Sequence, residues 1–349
     1  MLYKEHIQSL VCNHPLEINV DVQIEGKVPT TVSSEFITKK EQGDWAEKIV
    51  FDAINKESSD YVAIRYGRND DLSAGDDGFK EFYLKYQEEL NTIGKRPDIL
   101  IFKKTDYQEG SELTDELVAK AVCALEVRSS SFLVEKYNNY MRDRSEKALK
   151  RIREKISIIL GGNLGILLKQ KNPTIYNYLA NATQESLSTL NFRTPSWSTS
   201  SDLRDLSALL KGIKEDIKSL QKRDYLSITP KLEDIALVNR WIQKFNVPHY
   251  YLQIFFDKGY IISFQDILEI SSDSSKEGCE FSVEADIKNQ GKTTIKINVG
   301  YTDLIINKID MPNHCSKVKE LDRGRLLFYV KFIGGKGYLD KSIFEEIIK

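Results

Sequence analysis

Two short apolar runs, each with an acidic residue at or near one end, constrain the fold of this chain more than any other feature. The first run, residues 99–102, directly follows Pro97-Asp98, and the second, residues 121–127, contains Glu126. Both runs are too short for free-standing helices, so they predict neighbouring strands of a buried sheet. Pro97 suits the start of a strand because it lacks an N–H group. Adjoining strand ends would bring the two carboxyl groups together.

Side chains alternate between the two faces of a strand, which predicts how the second run is oriented. One face is apolar and consists of Ala121, Cys123, Leu125 and Val127. The opposite face carries Glu126 and Arg128 beside Val122 and Ala124. A carboxylate at the edge of apolar packing is costly unless a cation compensates its charge, and divalent cations with oxygen ligands do so well. The strand pair therefore predicts a divalent-cation site.

Each acid, taken alone, also has a purely structural explanation. An Asp after a Pro is often a turn residue, and a Glu two positions before an Arg often forms a solvated ion pair. Together, Pro97-Asp98 followed by Glu126-x-Arg128 in an apolar strand resembles the PD-(D/E)xK nuclease superfamily. We therefore expect an α/β fold in which a mixed β-sheet core is flanked by helices.

Composition excludes several classes of protein. The net charge of −2, with 29% charged residues, excludes a globally basic nucleic-acid-binding protein but allows a local basic cleft. The four cysteines lie far apart without metal-ligand spacing, which argues against structural zinc and against a disulfide framework. No apolar run approaches the roughly 18 residues of a membrane span, and no signal peptide is recognisable. We expect a cytoplasmic protein that does not contact membranes.

The chain divides into three predicted parts. Residues 1–34 form an N-terminal arm that contains an alternating run at 16–24. Residues 35–270 form the nuclease core, including a helical insertion, and residues 271–349 form a small β-rich C-terminal subdomain. A helix from Ser33 or Ser34 to about residue 56 places Glu47 at the border of its apolar face. Glu47 could join the metal site or simply be solvated.

Several basic and amide residues are candidates for DNA contact. Arg65 and Arg68 flank the end of a predicted strand at 61–66, and the helix predicted at 133–156 carries seven basic residues between positions 142 and 155, among them Arg142 and Arg144. In the C-terminal part the candidates are Lys288, Asn289, Gln290 and Lys292. Such groups can contact phosphates and base edges. Ion pairs in solvent would explain the basic helix at 133–156 equally well, and hairpin solubility would explain the C-terminal group equally well.

Longer stretches carry a more specific resemblance. They are residues 34–47, the Pro-Asp and Glu-Val-Arg-Ser-Ser strands, Thr-Pro-Lys-Leu-Glu-Asp at 229–234, and Asn-Val-Pro-His-Tyr-Tyr at 246–251 with Phe-Phe-Asp at 255–257. Together they are similar to the AccI family of type II restriction endonucleases over residues 34–270. The resemblance implies Mg²⁺-dependent hydrolysis of both strands of double-stranded DNA at a short site, by a homodimer whose symmetry matches that of the site.

The resemblance also implies roles for individual residues. Asp98 and Glu126 would be the metal ligands, and Glu47 would be the acid contributed by the helix. Arg128 stands where the superfamily more often has Lys, and a guanidinium stays protonated, so Arg128 would clamp the scissile phosphate. The proton of the attacking water would then leave by another route, to a metal-bound hydroxide, a second water, or Lys136 or Lys231 from a neighbouring element. For His249 we expect core packing rather than general-base duty.

Two other functions fit the same core. A structure-specific DNA repair or recombination nuclease would ignore intact plasmid. A non-catalytic DNA-binding protein on a degenerate nuclease fold is suggested by Arg128, because that position departs from the superfamily pattern.

Overall fold

The computed structural model describes residues 3–13, 28–67, 72–286, 292–321 and 324–349. These residues form two compact units. The first consists of Met1–Val134 and Leu226–Lys349, and the second of Glu135–Tyr225. The alternating run at 16–24, together with Arg68, Lys288, Asn289 and Gln290, lies outside the described residues.

All the described strands belong to the first unit. They are β1 (Tyr61–Arg65), β2 (Ile99–Lys103), β3 (Cys123–Ser129), β4 (Ser227–Ile228), β5 (His249–Ile254), β6 (Gly259–Ser263), β7 (Phe281–Asp286), β8 (Lys292–Asn298), β9 (Asp303–Ile309), β10 (Asn313–Leu321), β11 (Arg325–Ile333) and β12 (Gly337–Leu339).

The central sheet has seven strands in the order β1-β2-β3-β5-β6-β9-β12. Neighbours are antiparallel except for β3 and β5, which run parallel, so the sheet is mixed as predicted. A three-stranded sheet, β4-β8-β7, and the hairpin β10-β11 account for the other strands. Because β9 and β12 pair within the central sheet, part of the predicted C-terminal subdomain builds the core of the first unit.

Helices precede, interrupt and follow these strands. They are α1 (Tyr3–Asn13), α2 (Ser34–Glu57), α3 (Phe79–Thr92), α4 (Asp115–Val118), α5 (Val134–Leu160), α6 (Asn163–Lys171), α7 (Pro173–Ala180), α8 (Gln184–Thr189), α9 (Ser201–Leu220), α10 (Asp234–Phe245), α11 (Phe264–Ser272) and α12 (Lys341–Ile347). No helix within the described ranges combines the length and apolarity that crossing a bilayer requires.

The alternation predicted for β3 is confirmed. Leu125 and its same-face neighbours pack in one apolar cluster with Ile49 and Val50 of α2. Ala124, on the other face, packs in a second cluster with Trp241 of α10. Ala121 and Val122 are corrections, because both precede β3: Ala121 packs in the α10 cluster and Val122 packs against the α2 cluster, each opposite to the face predicted for it. The sheet thus separates an α2 layer from an α10 layer, and Glu126 faces the α10 layer.

Local chemistry fixes the ends of the two flanking helices. The Ser33 side chain accepts a hydrogen bond from the Phe36 N–H (3.1 Å), which caps the start of α2 where the sequence predicts it. Helix α10 ends at Phe245, and the N–H of its C-cap residue Asn246 donates to the Ile242 carbonyl at 2.7 Å; the left-handed backbone of Asn246 (φ 55°) then turns the chain out of the helix. Pro248 follows and prevents the helix from continuing, so the chain enters β5.

The second unit is helical and has a core of its own, in which Ile152, Leu206 and Ile213 are fully buried. Asp216 of α9 is 7% exposed and accepts hydrogen bonds from Arg151 Nε (2.7 Å) and Lys155 Nζ (2.5 Å) of α5. Two of the basic residues predicted to face solvent or DNA therefore hold the unit together.

Candidate active site

Asp98 lies immediately before β2 and is held by the backbone around it. Its Oδ2 accepts the Val127 N–H at 2.7 Å, and its carbonyl oxygen accepts the N–H groups of Tyr66 (2.9 Å) and Gly67 (3.0 Å). Burial, followed by the negative charges of Glu126 and Glu47, raises the pKa of Asp98 well above its ordinary value. A cation bound beside this carboxyl group would favour its ionised form.

Glu126 lies on β3 in the register position opposite Asp98, since Ile99 pairs with Leu125. The residue is 2% exposed, and its Oε1 accepts a hydrogen bond from Lys95 Nζ (2.6 Å) and forms an ion pair with Arg128 Nη2 (2.8 Å). Burial alone would raise the pKa of Glu126, but the charges of Lys95 and Arg128 outweigh burial and lower it. Its other oxygen, Oε2, is buried and has no hydrogen-bond partner among the described residues.

Lys95 and Asp234, which were not predicted as site residues, form a charged cluster with Glu126 and Arg128. Asp234, the first residue of α10, accepts hydrogen bonds through Oδ2 from Lys95 Nζ (2.7 Å) and Arg128 Nη2 (3.2 Å). Burial opposes ionisation, but Lys95 and Arg128 lower the pKa of Asp234 far below its usual range. The available signals were the position of Lys95 directly before Arg-Pro-Asp and that of Asp234 at the end of the 229–234 block.

The loop before β2 places Lys95 by docking against α10. The Lys95 N–H donates to the Leu237 carbonyl at 3.1 Å, and Arg240 Nη1 donates to the Leu90 carbonyl at 2.9 Å. Gly94 has φ +83°, and a Cβ atom there would lie 2.2 Å from the Leu237 carbonyl oxygen. Only glycine permits this backbone conformation and this approach without strain.

Glu47 and Lys231 lie at the border of the cluster. Glu47 is half-buried on α2, and its charge contributes to raising the pKa of Asp98. Lys231 lies within electrostatic range of Asp234 and contributes to lowering the pKa of that carboxyl. The carbonyl oxygen of Lys231 also accepts the Asp234 N–H at 3.1 Å. Glu47 thus lies near Asp98, and Lys231 lies near Asp234.

His249 is 1% exposed and packs between the rings of Trp241, Tyr251 and Phe264. Core packing, which the sequence analysis favoured for His249, is therefore confirmed. Burial lowers the pKa of His249 to about 4, so the imidazole is neutral near pH 7.

The donor set suits a hard divalent cation. Asp98 and Glu126 offer carboxylate oxygens, and the buried Oε2 of Glu126 has no other described partner. Within the described part of the chain, no three His, Cys, Asp or Glu side chains form a complete metal cluster. Mg²⁺ is usually held by one or two carboxylates together with water and substrate phosphate, so a pair of acids is sufficient.

The residues predicted to contact DNA have different surroundings. Arg65 is exposed at the end of β1, with its guanidinium 5.3 Å from the centre of the Phe51 ring. Arg142 is exposed on α5 and donates to Asn139 Oδ1 at 3.0 Å. Arg144 donates to the Lys222 carbonyl at 2.9 Å, so its guanidinium joins two segments of the helical unit. Lys292 begins β8, and its side chain lies outside the described part of the structure.

Comparison with known protein families gives a match over the whole chain. The family model described as AccI restriction endonuclease matches residues 1–349, the whole chain. Neither curated proteins nor solved structures give a match. A restriction endonuclease family implies a nuclease that hydrolyses DNA. On this full-length match, the chain belongs to the AccI restriction endonuclease family.

Proposed function

We propose that this protein is a cytoplasmic type II restriction endonuclease that requires Mg²⁺ and cleaves both strands of double-stranded DNA at a short specific site. The PD-(D/E)xK arrangement of the core is part of the proposal. Its main support is the meeting of Asp98 and Glu126 on paired strands, with one buried Glu126 oxygen that has no other described partner. Because the recognised site would be symmetric, we propose a homodimer.

Asp98 and Glu126 would hold the cation. When bound, Mg²⁺ lowers the pKa of the attacking water and neutralises the charge that develops on the phosphate. The protein contributes the fixed geometry. Asp98 is anchored by the Val127 N–H, and Glu126 is anchored by Lys95 and Arg128. We propose that Glu47 supports Asp98 from α2.

Arg128 would contact the scissile phosphate. Its Nη2 bonds to Glu126 and Asp234, whereas its Nε is buried with no hydrogen-bond partner among the described residues. The remaining N–H groups of the guanidinium are the donors proposed for the phosphate oxygens. Such a contact stabilises negative charge where it develops during cleavage.

Lys95 does not suit the role of general base. Burial and Arg128 act to lower its pKa, but Asp234 and Glu126 more than compensate and raise the pKa of Lys95 above its ordinary value. Lys95 therefore stays protonated near neutral pH. We retain Lys231, at the border of the cluster, as the proposed carrier of the proton that leaves the attacking water.

DNA contacts are proposed for several basic and amide residues outside the cluster. They are Arg65, Arg68, Arg142, Arg144, Lys288, Asn289, Gln290 and Lys292. Arg65 and Arg142 have exposed side chains, which suits contacts to phosphate. Arg144 already donates to backbone carbonyls, so a phosphate contact would use its remaining N–H groups.

The Arg128→Lys variant tests the phosphate contact. A lysine ammonium can replace Nη2 between Glu126 and Asp234 but cannot supply the additional donors of a guanidinium. We expect the variant to stay folded and to lose about tenfold or more in the single-turnover cleavage rate, as when a charged contact worth roughly 1.5–3 kcal/mol is removed. A variant that cleaves DNA at the wild-type rate would exclude this role for the guanidinium.

A cleavage assay on a plasmid of known sequence tests the proposed function. Purified protein with Mg²⁺ should give discrete fragments from intact plasmid, and EDTA should abolish them. Fragment ends would give the site, its symmetry and the cut position. A nuclease that recognises structure or damage would leave intact plasmid uncut, and a non-catalytic protein would retard DNA in a gel without cutting any substrate.

A further inference from the structure

Glu126 belongs to a closed arrangement of four charged side chains, in which two cations, Lys95 and Arg128, alternate with two anions, Glu126 and Asp234. Lys95 Nζ and Arg128 Nη2 each contact the same two oxygens, Glu126 Oε1 and Asp234 Oδ2. The four distances lie between 2.6 and 3.2 Å. The side chains of Glu126 and Asp234 are 3% and 13% exposed, so solvent screens these contacts little.

This arrangement determines which oxygen of Glu126 can serve a ligand. Oε1 accepts a charge-assisted hydrogen bond from Lys95 and forms an ion pair with Arg128, and these two contacts fix the orientation of the carboxylate. Oε2 is then the oxygen that remains for a cation. Asp234 takes part of the interaction of both cations, so neither Lys95 nor Arg128 interacts with Glu126 alone.

Backbone contacts hold both outer members in place. Asp234 is the first residue of α10, where the helix dipole favours a negative charge. Lys95 follows Gly94 and is hydrogen-bonded through its N–H to the Leu237 carbonyl in the same helix. Since α10 carries one partner and docks the other, the spacing between Lys95 and Asp234 is defined by a single rigid element.

We propose that Lys95 and Asp234 are positioning residues of the metal site, which fix Glu126 so that Oε2 faces the bound cation. This inference rests on the proposed function, because it takes Glu126 to be a metal ligand. Neither residue touches the substrate in this scheme. Both act through the carboxylate that they orient, and both should therefore affect metal affinity.

Binding of Mg²⁺ to the full-length protein, measured by titration calorimetry, tests this proposal in Asp234→Asn and Lys95→Met. We expect both variants to bind Mg²⁺ about 10- to 100-fold more weakly, the usual effect of removing a partner that orients a metal ligand. The Mg²⁺ concentration for half-maximal cleavage should rise in parallel. Cleavage should recover in part at saturating Mg²⁺.

The pair of variants separates positioning from a simple electrostatic field. Asp234→Asn makes the site more positive and Lys95→Met makes it more negative, so a field effect alone would shift Mg²⁺ affinity in opposite directions. Opposite shifts, or unchanged affinity in either folded variant, would overturn the proposal. If Lys95→Met does not fold, Asp234→Glu replaces it. If Asp234 acts by positioning, Asp234→Glu should also bind Mg²⁺ weakly, because its carboxylate is displaced. If it acts only through its charge, Asp234→Glu should bind Mg²⁺ with the wild-type affinity.

Asp216→Asn is the matched control. Asp216 also binds two cations, Arg151 and Lys155, and is similarly buried, but it lies within the helical unit. We expect the control to lower the melting temperature without changing Mg²⁺ affinity. If the wild-type protein neither binds Mg²⁺ nor cleaves DNA, the proposed function fails together with this inference. If wild type does both and the variants match it, only this inference fails.

Discussion

Asp98→Ala and Glu126→Ala are expected to lower the rate of DNA cleavage by at least about a thousandfold, because several kcal/mol of transition-state stabilisation depend on the metal and every 1.4 kcal/mol is tenfold. Each substitution removes a carboxylate of the proposed metal site. DNA binding should persist, since phosphate contacts dominate affinity and most of the proposed ones lie outside this site. Single-turnover cleavage at saturating Mg²⁺ and a gel-shift titration measure the two properties separately.

Isosteric variants strengthen this experiment. Glu126→Ala leaves Lys95 and Arg128 with Asp234 as their only partner in the cluster, so Glu126→Gln should be compared for folding. Asp52→Asn serves as a control, because Asp52 is an exposed carboxylate on α2 paired with Lys48. We expect Asp52→Asn to cleave normally. Full activity in either Asp98→Ala or Glu126→Ala would refute the proposed metal site.

Gly94→Ala is expected to destabilise the protein by about 2–4 kcal/mol, since a left-handed backbone costs a residue with a Cβ about 1–2 kcal/mol and the steric clash adds to that. The new Cβ would lie 2.2 Å from the Leu237 carbonyl oxygen and 2.8 Å from the Trp241 backbone nitrogen. The loop must move away from α10, which shifts Lys95. Urea unfolding measures the loss of stability. The cleavage rate, measured at temperatures where the variant stays folded, reports the effect of shifting Lys95.

Gly43→Ala is the matched control for Gly94→Ala. Gly43 lies inside α2, and a Cβ atom there meets nothing within 4 Å. We expect this variant to be neutral or to gain about 0.5–1 kcal/mol, because alanine favours a helix over glycine. If the two alanine variants were equally stable, the close packing of the Gly94 loop against α10 would be contradicted.

Local periodicity was sufficient to predict the elements that carry the two acids. The helix predicted from Ser33 or Ser34 corresponds to α2, and the two apolar runs correspond to β2 and β3. Glu126 was assigned to the right face because alternation along a strand depends only on backbone geometry. The mixed sheet was predicted, but the pairing of β9 and β12 with it was not, since strand order is set by contacts distant in sequence.

Lys95 and Asp234, the other members of the cluster, could not be predicted from local sequence patterns. Lys95 and Asp234 are separated by 139 positions in the chain, and no periodic pattern connects them. Their contact depends on the docking of the Gly94 loop against α10, a tertiary feature. The same limit applies to Arg144. A run of basic residues suggested phosphate contacts, whereas its guanidinium donates to a carbonyl oxygen within the helical unit.

The parallel pairing of β3 with β5 has a consequence for biosynthesis. Ser129 of β3 aligns with Ile254 of β5, and the whole helical unit lies between these strands in the chain. A nascent polypeptide therefore carries both Asp98 and Glu126 long before the ribosome has made Asp234 or β5. Long-range pairing of this kind forms late in folding. We expect translation products that stop before Asp234 to be inert toward the chromosome of the producing cell, because the proposed cleavage centre then lacks both Asp234 and β5.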